Sequence, residues 1–209
     1  PCRVYAREAI IPKANHHPDE DGIIWHAYGS GKTLTSFEAA RLLSQTTDAE
    51  RVIFLVDRAD LNAQTAKNFV SYLPATTGGS PALDRTDNTA TLVKQLQSLD
   101  NPLIVTTIQK LSNAVKNDRF KSVLTPYHDR KVAFIEDECH RSQFGKMRKD
   151  VNHWFQNAQH FGFTGTPIFK ENVGADGRTT KDLYDKELHQ YLIRDAIRDG
   201  NVLGFAVQY

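Results

Sequence analysis

The chain has 209 residues, of which 40% are hydrophobic and 24% charged, a composition typical of a globular protein with a core of its own. Its two cysteines, Cys2 and Cys139, lack the spacing of a disulfide framework or a zinc finger, and no apolar run reaches the roughly 18 residues of a membrane span. The formal net charge of +1 argues against a protein that is basic throughout, so we expect a cytoplasmic protein with no membrane partner and at most a local basic groove.

Short apolar runs alternate with helical segments along the first two thirds of the chain. The runs lack strict polar–apolar alternation, which predicts strands buried on both faces of a parallel sheet. These runs span 22–27, 51–57, 102–107, 131–137 and 160–166. Apolar periodicity predicts helices over 31–45, 60–73 and 88–99. This repeated alternation predicts a doubly wound α/β layer sandwich.

The last third of the chain has a weaker pattern. Residues 170–182 are polar and contain Gly, which predicts a loop, as for residues 74–87. The segment 188–209 predicts a helix closed by Gly200 and then an apolar strand. We therefore divide the chain into a domain over 1–189 and a helix–strand segment over 190–209 that leads to a second domain outside this chain.

The stretch "GSGKT" predicts a phosphate-binding loop between a strand and a helix. Such a loop needs bare backbone N–H groups near phosphate oxygens, a lysine for the β- and γ-phosphates, and a hydroxyl for Mg²⁺. These requirements are met by Gly29, Ser30, Gly31, Lys32 and Thr33. An ordinary Gly-Ser-Gly turn before a helix is the alternative interpretation.

His26 stands where the pattern G-x-x-x-x-G-K-[ST] has its first glycine. It falls at the end of the preceding predicted strand, before the tight part of the loop. We therefore expect that its side chain can point away from the phosphates.

Another predicted strand, 131–137, ends in acidic residues. In a P-loop ATPase an Asp at such a strand end holds Mg²⁺, and a following Glu orients or deprotonates the attacking water. Asp137 and Glu138 fit these roles, whereas strand alternation points Glu136 to the opposite face. Acidic strand ends are common in exposed turns, but the combination with "GSGKT" on one sheet favours a nucleotide site.

The stretch "FGFTGTPIF" adds Thr164, Gly165 and Thr166 at the end of a further predicted strand. The two hydroxyls could sense the γ-phosphate through hydrogen bonds to Asp137 or His140. A Thr-Gly-Thr turn can also serve only to shape a loop.

Taken in order, these elements resemble the motifs of superfamily 2 helicases and translocases. GSGKT resembles motif I, 52–64 motif Ia, DECH (137–140) motif II and TGTP (164–167) motif III. Longer stretches, including "DECHRSQFG" and "FGFTGTPIF", are similar to the R (motor and restriction) subunit of type I restriction-modification enzymes, and the resemblance covers nearly the whole chain. Members of that family also place His at the position of the first P-loop glycine.

This resemblance implies a P-loop RecA-like three-layer sandwich with a mainly parallel sheet, the first motor domain of a superfamily 2 translocase. It implies an enzyme part that uses ATP and Mg²⁺ to move duplex DNA before a nuclease domain outside this chain cleaves it. The expected partners are duplex DNA and the methylation and specificity subunits of a type I site-specific deoxyribonuclease. The alternatives are another superfamily 2 DNA or RNA helicase, or a nucleotide- and DNA-binding fragment with negligible ATPase activity.

The resemblance also implies roles for individual residues. Lys32, Asp137, Glu138 and His140 would be catalytic, with Thr33 and Asp137 holding Mg²⁺. The residues that couple nucleotide state to DNA movement would be Thr164, Gly165 and Thr166, and those that hold the DNA backbone would be Arg58, Thr106 and Thr107. Arg3 stands where family members usually carry an adenine-recognising Gln, so adenine selectivity is not predicted.

Three other features have simpler interpretations. His16 and His17 lie among Pro and acidic residues, which favours a solvated loop over a metal site. Cys139 and His140 lie within DECH, which favours their interpretation as a packed thiol and a coupling imidazole over zinc ligands. The run 145–150 could contact DNA phosphates or could be an exposed helix start, and Trp25 and Trp154 favour core or subunit contacts over base stacking.

Overall fold

A parallel sheet forms the centre of the computed structural model, which describes residues 2–56, 84–85, 88–98, 102–140, 142–169 and 179–200. The strands are β1 (Gly22–His26), β2 (Arg51–Val56), β3 (Asp84–Arg85), β4 (Leu103–Thr107), β5 (Val132–Asp137), β6 (Ala158–Thr164) and β7 (Lys186–Tyr191). They are arranged in the order β3-β4-β2-β5-β6-β1-β7, and all the described pairs are parallel. The five predicted strands are therefore confirmed.

Helices lie on both faces of this sheet. They are α1 (Cys2–His16), α2 (Lys32–Thr46), α3 (Thr89–Gln97), α4 (Ile108–Lys116), α5 (Lys121–Leu124), α6 (Ser142–Trp154) and α7 (Ile193–Arg198). Short 3₁₀ turns span Asp118–Phe120, Thr125–His128 and Thr180–Asp182. The predicted helices over 31–45 and 88–99 are confirmed as α2 and α3, whereas the one over 60–73 lies outside the described residues.

Each strand of the sheet centre contributes to two apolar cores. In β2, Val52, Phe54 and Val56 face the core shared with α1 and α2. Ile53 and Leu55 face the core shared with α3, α4 and α6. Burial on both faces explains why these strands read as continuous apolar runs, and it makes the fold a three-layer α/β sandwich as predicted.

Helix α1 has no counterpart among the predicted elements. Its apolar periodicity is weak and Pro12 lies inside it, so the sequence pattern does not indicate a helix. Ala6, Ile10 and Ala14 nevertheless recur every four residues, and all are buried in the core with α2. Tertiary packing therefore stabilises this helix.

The predicted helix beginning at residue 188 is wrong for its first four residues. Leu188–Tyr191 belongs to β7, which pairs with β1, with His26 opposite Tyr191. Gly22 leaves room for this strand, because a Cβ atom there would lie 2.4 Å from Leu188 Cδ1. Pairing with an otherwise free sheet edge overrides the local preference of these residues.

The helical part of this segment begins later, as α7, and Gly200 follows it with a φ of 71°. This confirms Gly200 as the residue that closes the helix, since the left-handed region favours Gly. The predicted boundary after residue 189 falls inside β7, and the division into 1–189 and 190–209 stays a prediction. The strand predicted after Gly200 lies outside the described residues.

Within the described part of the chain, no helix combines the length and the apolar character needed to cross a membrane.

Candidate active site

The loop between β1 and α2 has the geometry of a phosphate cradle. Gly29 and Gly31 have φ values of 78° and 79°, in the left-handed region where a side chain would be strained. The turn is closed by Ser30, whose N–H and hydroxyl donate to Ala27 O at 3.3 and 2.6 Å. Helix α2 begins at Lys32 without a capping side chain, because its N-cap is Gly31. Its first N–H groups and its dipole are therefore oriented toward the loop that an anion would enter.

His26 ends β1 before this turn begins, as expected. Its side chain is fully buried, and Nε2 lies 2.9 Å from Nδ1 of His189 on β7. Burial, then His189 and Lys32, lower the pKa of His26 to about 3. The imidazole is therefore neutral and lies in the sheet rather than in the loop.

Strand β5 delivers two carboxylates to the same edge of the sheet. Burial raises the pKa of Asp137 to about 6, even though Lys32 and a hydrogen bond from the Thr33 hydroxyl favour its charged form. Glu138 follows with a φ of 51°, a left-handed conformation that costs a non-glycine residue on the order of 1–3 kcal/mol. This backbone conformation aims the Glu138 side chain at the loop after β1.

Lys32 and Glu138 form an ion pair across the site, with 2.5 Å between Nζ and Oε1. The exposed fractions of the two side chains are 7% and 12%, so water screens the pair weakly. Glu138 Oε2, which has no hydrogen-bond partner among the described residues, lies 3.4 Å from His140 Nδ1. The lysine and both carboxylates predicted to act on one ligand are thus brought together.

A chain of contacts joins this pair to the end of β6. The Thr164 hydroxyl and His140 Nδ1 form a hydrogen bond of 2.9 Å, and Thr166 N donates to Thr164 Oγ1 at 3.1 Å. Gly165 allows close approach, since a Cβ atom there would lie 3.3 Å from His26 O and from the Tyr28 ring. The structure therefore places Thr164, Gly165 and Thr166 between His140 and the loop after β1.

Tyr28 is a site residue that the sequence interpretation missed. Its side chain is 60% exposed, its ring lies against Gly165, and Lys32 Nζ is 4.9 Å from the ring centroid. An aromatic residue inside a loop of small residues is the signal that could have identified it. Its position gives the lysine a cation–π contact in addition to the ion pair.

The residues predicted to hold DNA do not join the cluster around Lys32 and Glu138. Thr106 and Thr107, at the end of β4, are 0% and 2% exposed, and the Thr107 hydroxyl accepts a hydrogen bond from Lys110 N as the cap of α4. Arg58 lies outside the described residues, as does the side chain of Arg3 on α1. The DNA contacts stay predictions that depend on the resemblance alone.

On the opposite face of β5, Glu136 belongs to a separate buried charge cluster, which we call the Glu136 cluster. His160 Nδ1 donates to Glu136 Oε1 at 2.6 Å, the Tyr184 hydroxyl donates to Oε2, and Arg148 Nε lies 3.6 Å from Oε1. Arg148 also pairs with Asp21 and stacks over the Tyr184 ring at 4.5 Å. The prediction that Glu136 points away from Asp137 is confirmed, but its partners were not predicted.

Cys139 lies beside Tyr184 of the Glu136 cluster and is a packed thiol rather than an accessible nucleophile. It is 3% exposed and contacts Ile23 and Tyr184, and burial raises the pKa of its thiol. A protonated, buried thiol is a poor nucleophile and a poor metal ligand.

Comparison with known sequences identifies relatives over the whole chain. The model of the SWI2/SNF2 ATPase family matches residues 3–209. The type I restriction enzyme SsaAORF53P endonuclease subunit of Staphylococcus saprophyticus is 53% identical over 209 residues, which are 100% of this chain and 22% of that protein. The C-terminal part of the MpnIIP endonuclease subunit of Mycoplasma pneumoniae is 36% identical over 166 residues, 74% of this chain and 77% of that protein. The chain thus spans about a fifth of the full-length Staphylococcus relative.

Solved structures share the fold. The type ISP restriction-modification enzyme LlaGI, solved as a nuclease-deletion mutant with a DNA substrate mimic, matches with a TM-score of 0.65 and 17% identity over 95% of this chain and 20% of that one. The Hef helicase domain of Pyrococcus furiosus matches with a TM-score of 0.55 and 18% identity over 89% of this chain and 37% of that one. At these identities the likeness concerns the fold alone, a parallel sheet covered by helices on both faces.

Proposed function

Because the chain belongs to the SWI2/SNF2 ATPase family and to the endonuclease subunits of type I restriction enzymes, we propose that it binds and hydrolyses ATP to drive translocation of duplex DNA. Cleavage would follow in a nuclease domain outside this chain. The methylation and specificity subunits of a type I restriction complex would be its partners, the specificity subunit reading the DNA sequence.

One observation supports the proposal most strongly, namely the convergence of Lys32, Thr33, Asp137 and Glu138 at one edge of the sheet. Lys32 Nζ lies 2.5 Å from Glu138 Oε1, and the Thr33 hydroxyl donates to Asp137. These side chains come from segments about a hundred residues apart, yet each has the chemistry that phosphoryl transfer requires of its position. An accidental Gly-Ser-Gly turn would not assemble this set.

In the proposed reaction, Lys32 exchanges one anionic partner for another. Without nucleotide its ammonium group neutralises Glu138, and the phosphates of ATP would take over that contact. Glu138 is then released to orient and deprotonate the attacking water, as a general base within hydrogen-bond reach. His140, which already lies between Glu138 and Thr164, would report this change to the end of β6.

Thr33 and Asp137 are the residues that would hold Mg²⁺. A hydroxyl and a carboxylate that are hydrogen-bonded to each other fit a hard cation that prefers oxygen ligands. The raised pKa of Asp137 fits as well, because a buried carboxylate without a cation is destabilised in its charged form. Bound Mg²⁺ would neutralise charge on the phosphates.

The proposal that the chain moves DNA has less support, which comes from the shared fold and from the position of the coupling residues. The fold is shared with LlaGI, which was solved with a DNA substrate mimic. The coupling residues Thr164, Gly165 and Thr166 lie beside the proposed nucleotide site, where a change at Glu138 would reach them through His140. A contact between the DNA backbone and a cation such as Arg58 would suit a motor that moves along any sequence, whereas Thr106 and Thr107 are buried in this structure.

Two substitutions test the proposal in the complete enzyme. Lys32→Ala removes the phosphate-binding cation, so ATP affinity should fall at least about tenfold and translocation should stop. Glu138→Gln removes the competing anion beside Lys32, so ATP affinity should be retained or increased, while turnover falls at least about 100-fold. Equilibrium titration with Mg·ATP and DNA-stimulated phosphate release measure the two effects.

Lys121→Ala, on an exposed ion pair, and Glu38→Gln, on a half-buried pair further along α2, are matched controls, and both should behave as wild type. Normal translocation by either Lys32→Ala or Glu138→Gln would contradict the assignment of the site.

A further inference from the structure

His26 lies in an aromatic enclosure at the start of the phosphate loop. Its ring packs edge-on against His189 at 5.0 Å, Tyr191 at 5.9 Å and Phe163 at 6.4 Å between centroids. Full burial and this enclosure hold the imidazole in one orientation. The residue that breaks the glycine pattern is therefore built into the sheet.

The hydrogen bond between the two histidines has a defined direction. His26 is neutral, and among the described residues its Nδ1 has no hydrogen-bond partner. A buried N–H without an acceptor costs more than a buried lone pair without a donor, so the proton lies on Nε2. Nε2–H therefore donates to His189 Nδ1 at 2.9 Å. Burial also lowers the pKa of His189, which favours its neutral form, and Nδ1 is the acceptor when the His189 proton lies on Nε2.

This bond secures the residue from which the loop starts. Ala27 N donates to Tyr191 O at 2.9 Å, and Ala27 O accepts both hydrogen bonds of Ser30 that close the turn. The loop is thus attached to β7 twice, through the backbone at Ala27 and through the side chain at His26. The pairing of β1 with β7 shifts register between Ile23 and Ile24, which brings His26 opposite Tyr191.

We propose that His26 is a positioning residue for nucleotide binding, which acts through its hydrogen bond to His189 and holds the phosphate loop against β7. Among the described residues, a glycine at this position would leave the hydrogen bond from Ala27 N to Tyr191 O as the link between the start of the loop and β7. The inference rests on the proposed nucleotide-binding function. It adds His189 as a residue that supports nucleotide binding although it does not contact the ligand.

The test uses His189, because it is half-buried and can be replaced without opening the core. His189→Phe keeps an aromatic ring but cannot accept a hydrogen bond, and we expect it to weaken binding of a non-hydrolysable ATP analogue about five- to tenfold. His189→Asn offers an amide oxygen near the position of Nδ1, and it should bind within about twofold of wild type. His153→Asn, on the exposed side of α6, is the matched control and should bind as wild type.

A second expectation concerns coupling between the two histidines. The double variant His26→Phe, His189→Phe should bind no more weakly than His189→Phe, because each change removes the same hydrogen bond. Thermal unfolding of each variant establishes that it is folded, and if His26→Phe fails to fold, the comparison of His189→Phe with His189→Asn decides the question.

Wild-type affinity in folded His189→Phe, or an equal loss in His189→Asn, would overturn the inference. Lys32→Ala in the same titration separates this outcome from failure of the proposed function. If Lys32→Ala loses affinity while His189→Phe keeps it, the role of His26 is wrong and the nucleotide site stands. If Lys32→Ala keeps affinity, the nucleotide site itself is wrong, and so is the inference that depends on it.

Discussion

Glu136 is a carboxylate with 1% exposure, one residue before the acidic pair of the proposed site, and replacing it with Gln tests how the Glu136 cluster is stabilised. Burial alone would raise its pKa. Arg148, His160 and the hydrogen bonds from His160 and Tyr184 more than offset this and lower the pKa to about 2, from an ordinary value of 4.5. A difference of this size corresponds to about 3 kcal/mol of folding free energy at neutral pH.

The sign of the pH dependence follows from the direction of this shift. Because the pKa of Glu136 is lower in the folded state, its contribution is fully present above pH 4.5 and is lost as the pH falls toward 2. Glu136→Gln cannot titrate, so the variant should be about 3 kcal/mol less stable than wild type at pH 7. The difference should shrink to about 1 kcal/mol at pH 3.

Urea unfolding of both proteins at pH 7 and pH 3 measures these differences. Glu38→Gln makes the same chemical change on the half-buried pair with Arg41, which solvent still reaches, and it should cost about 1 kcal/mol. A difference for Glu136→Gln below about 1 kcal/mol at pH 7, or one that is equal at the two pH values, would refute the reasoning.

Three further expectations concern the same elements. Gly162→Ala would place Cβ 2.4 Å from Tyr184 Cζ, so displacement of the ring should lower stability by about 1–3 kcal/mol in thermal unfolding, and an unchanged Tm would contradict the close contact. Thr164→Val removes the hydroxyl bonded to His140, so ATP should still bind while DNA-stimulated hydrolysis falls, and full stimulation would argue against coupling through this pair. The 209-residue chain alone should bind ATP weakly and turn it over negligibly, since the resemblance implies a second domain outside this chain that would complete the site. Brisk DNA-stimulated phosphate release would disprove this.

Much of the fold could be predicted from sequence, because a strand buried on both faces must be apolar at consecutive positions. β2 and β5 illustrate this, since all of their residues are buried. Where the local sequence pattern disagreed with the packing partner in the fold, the packing partner determined the secondary structure. α1 contains Pro12 and has weak periodicity, yet it packs on α2, and Leu188–Tyr191 pairs as a strand with β1 despite its helical appearance.

The candidate site likewise contains residues that the sequence pattern could predict and residues that only the tertiary structure reveals. The residues proposed to face a ligand could be predicted because phosphate and Mg²⁺ demand particular groups at particular spacings, as Lys32, Thr33 and Asp137 illustrate. Tyr28 and His189 could not be found in this way, because neither belongs to a spacing rule and each matters only through what it contacts. Thr107 has the residue type of a phosphate contact, yet its hydroxyl accepts a hydrogen bond that begins a helix.

By itself the sequence determined the class of fold and the family, and it predicted the side chains that would act on a nucleotide, since these depend on residue types in fixed order along the chain. Tertiary structure alone decided which partners those side chains have. It pairs Lys32 with Glu138, sets Glu136 in a charge cluster behind them, and joins His26 to a histidine 163 residues away. The physical reason is that hydrogen bonds and ion pairs depend on distance and burial in space, which the order of residues does not specify.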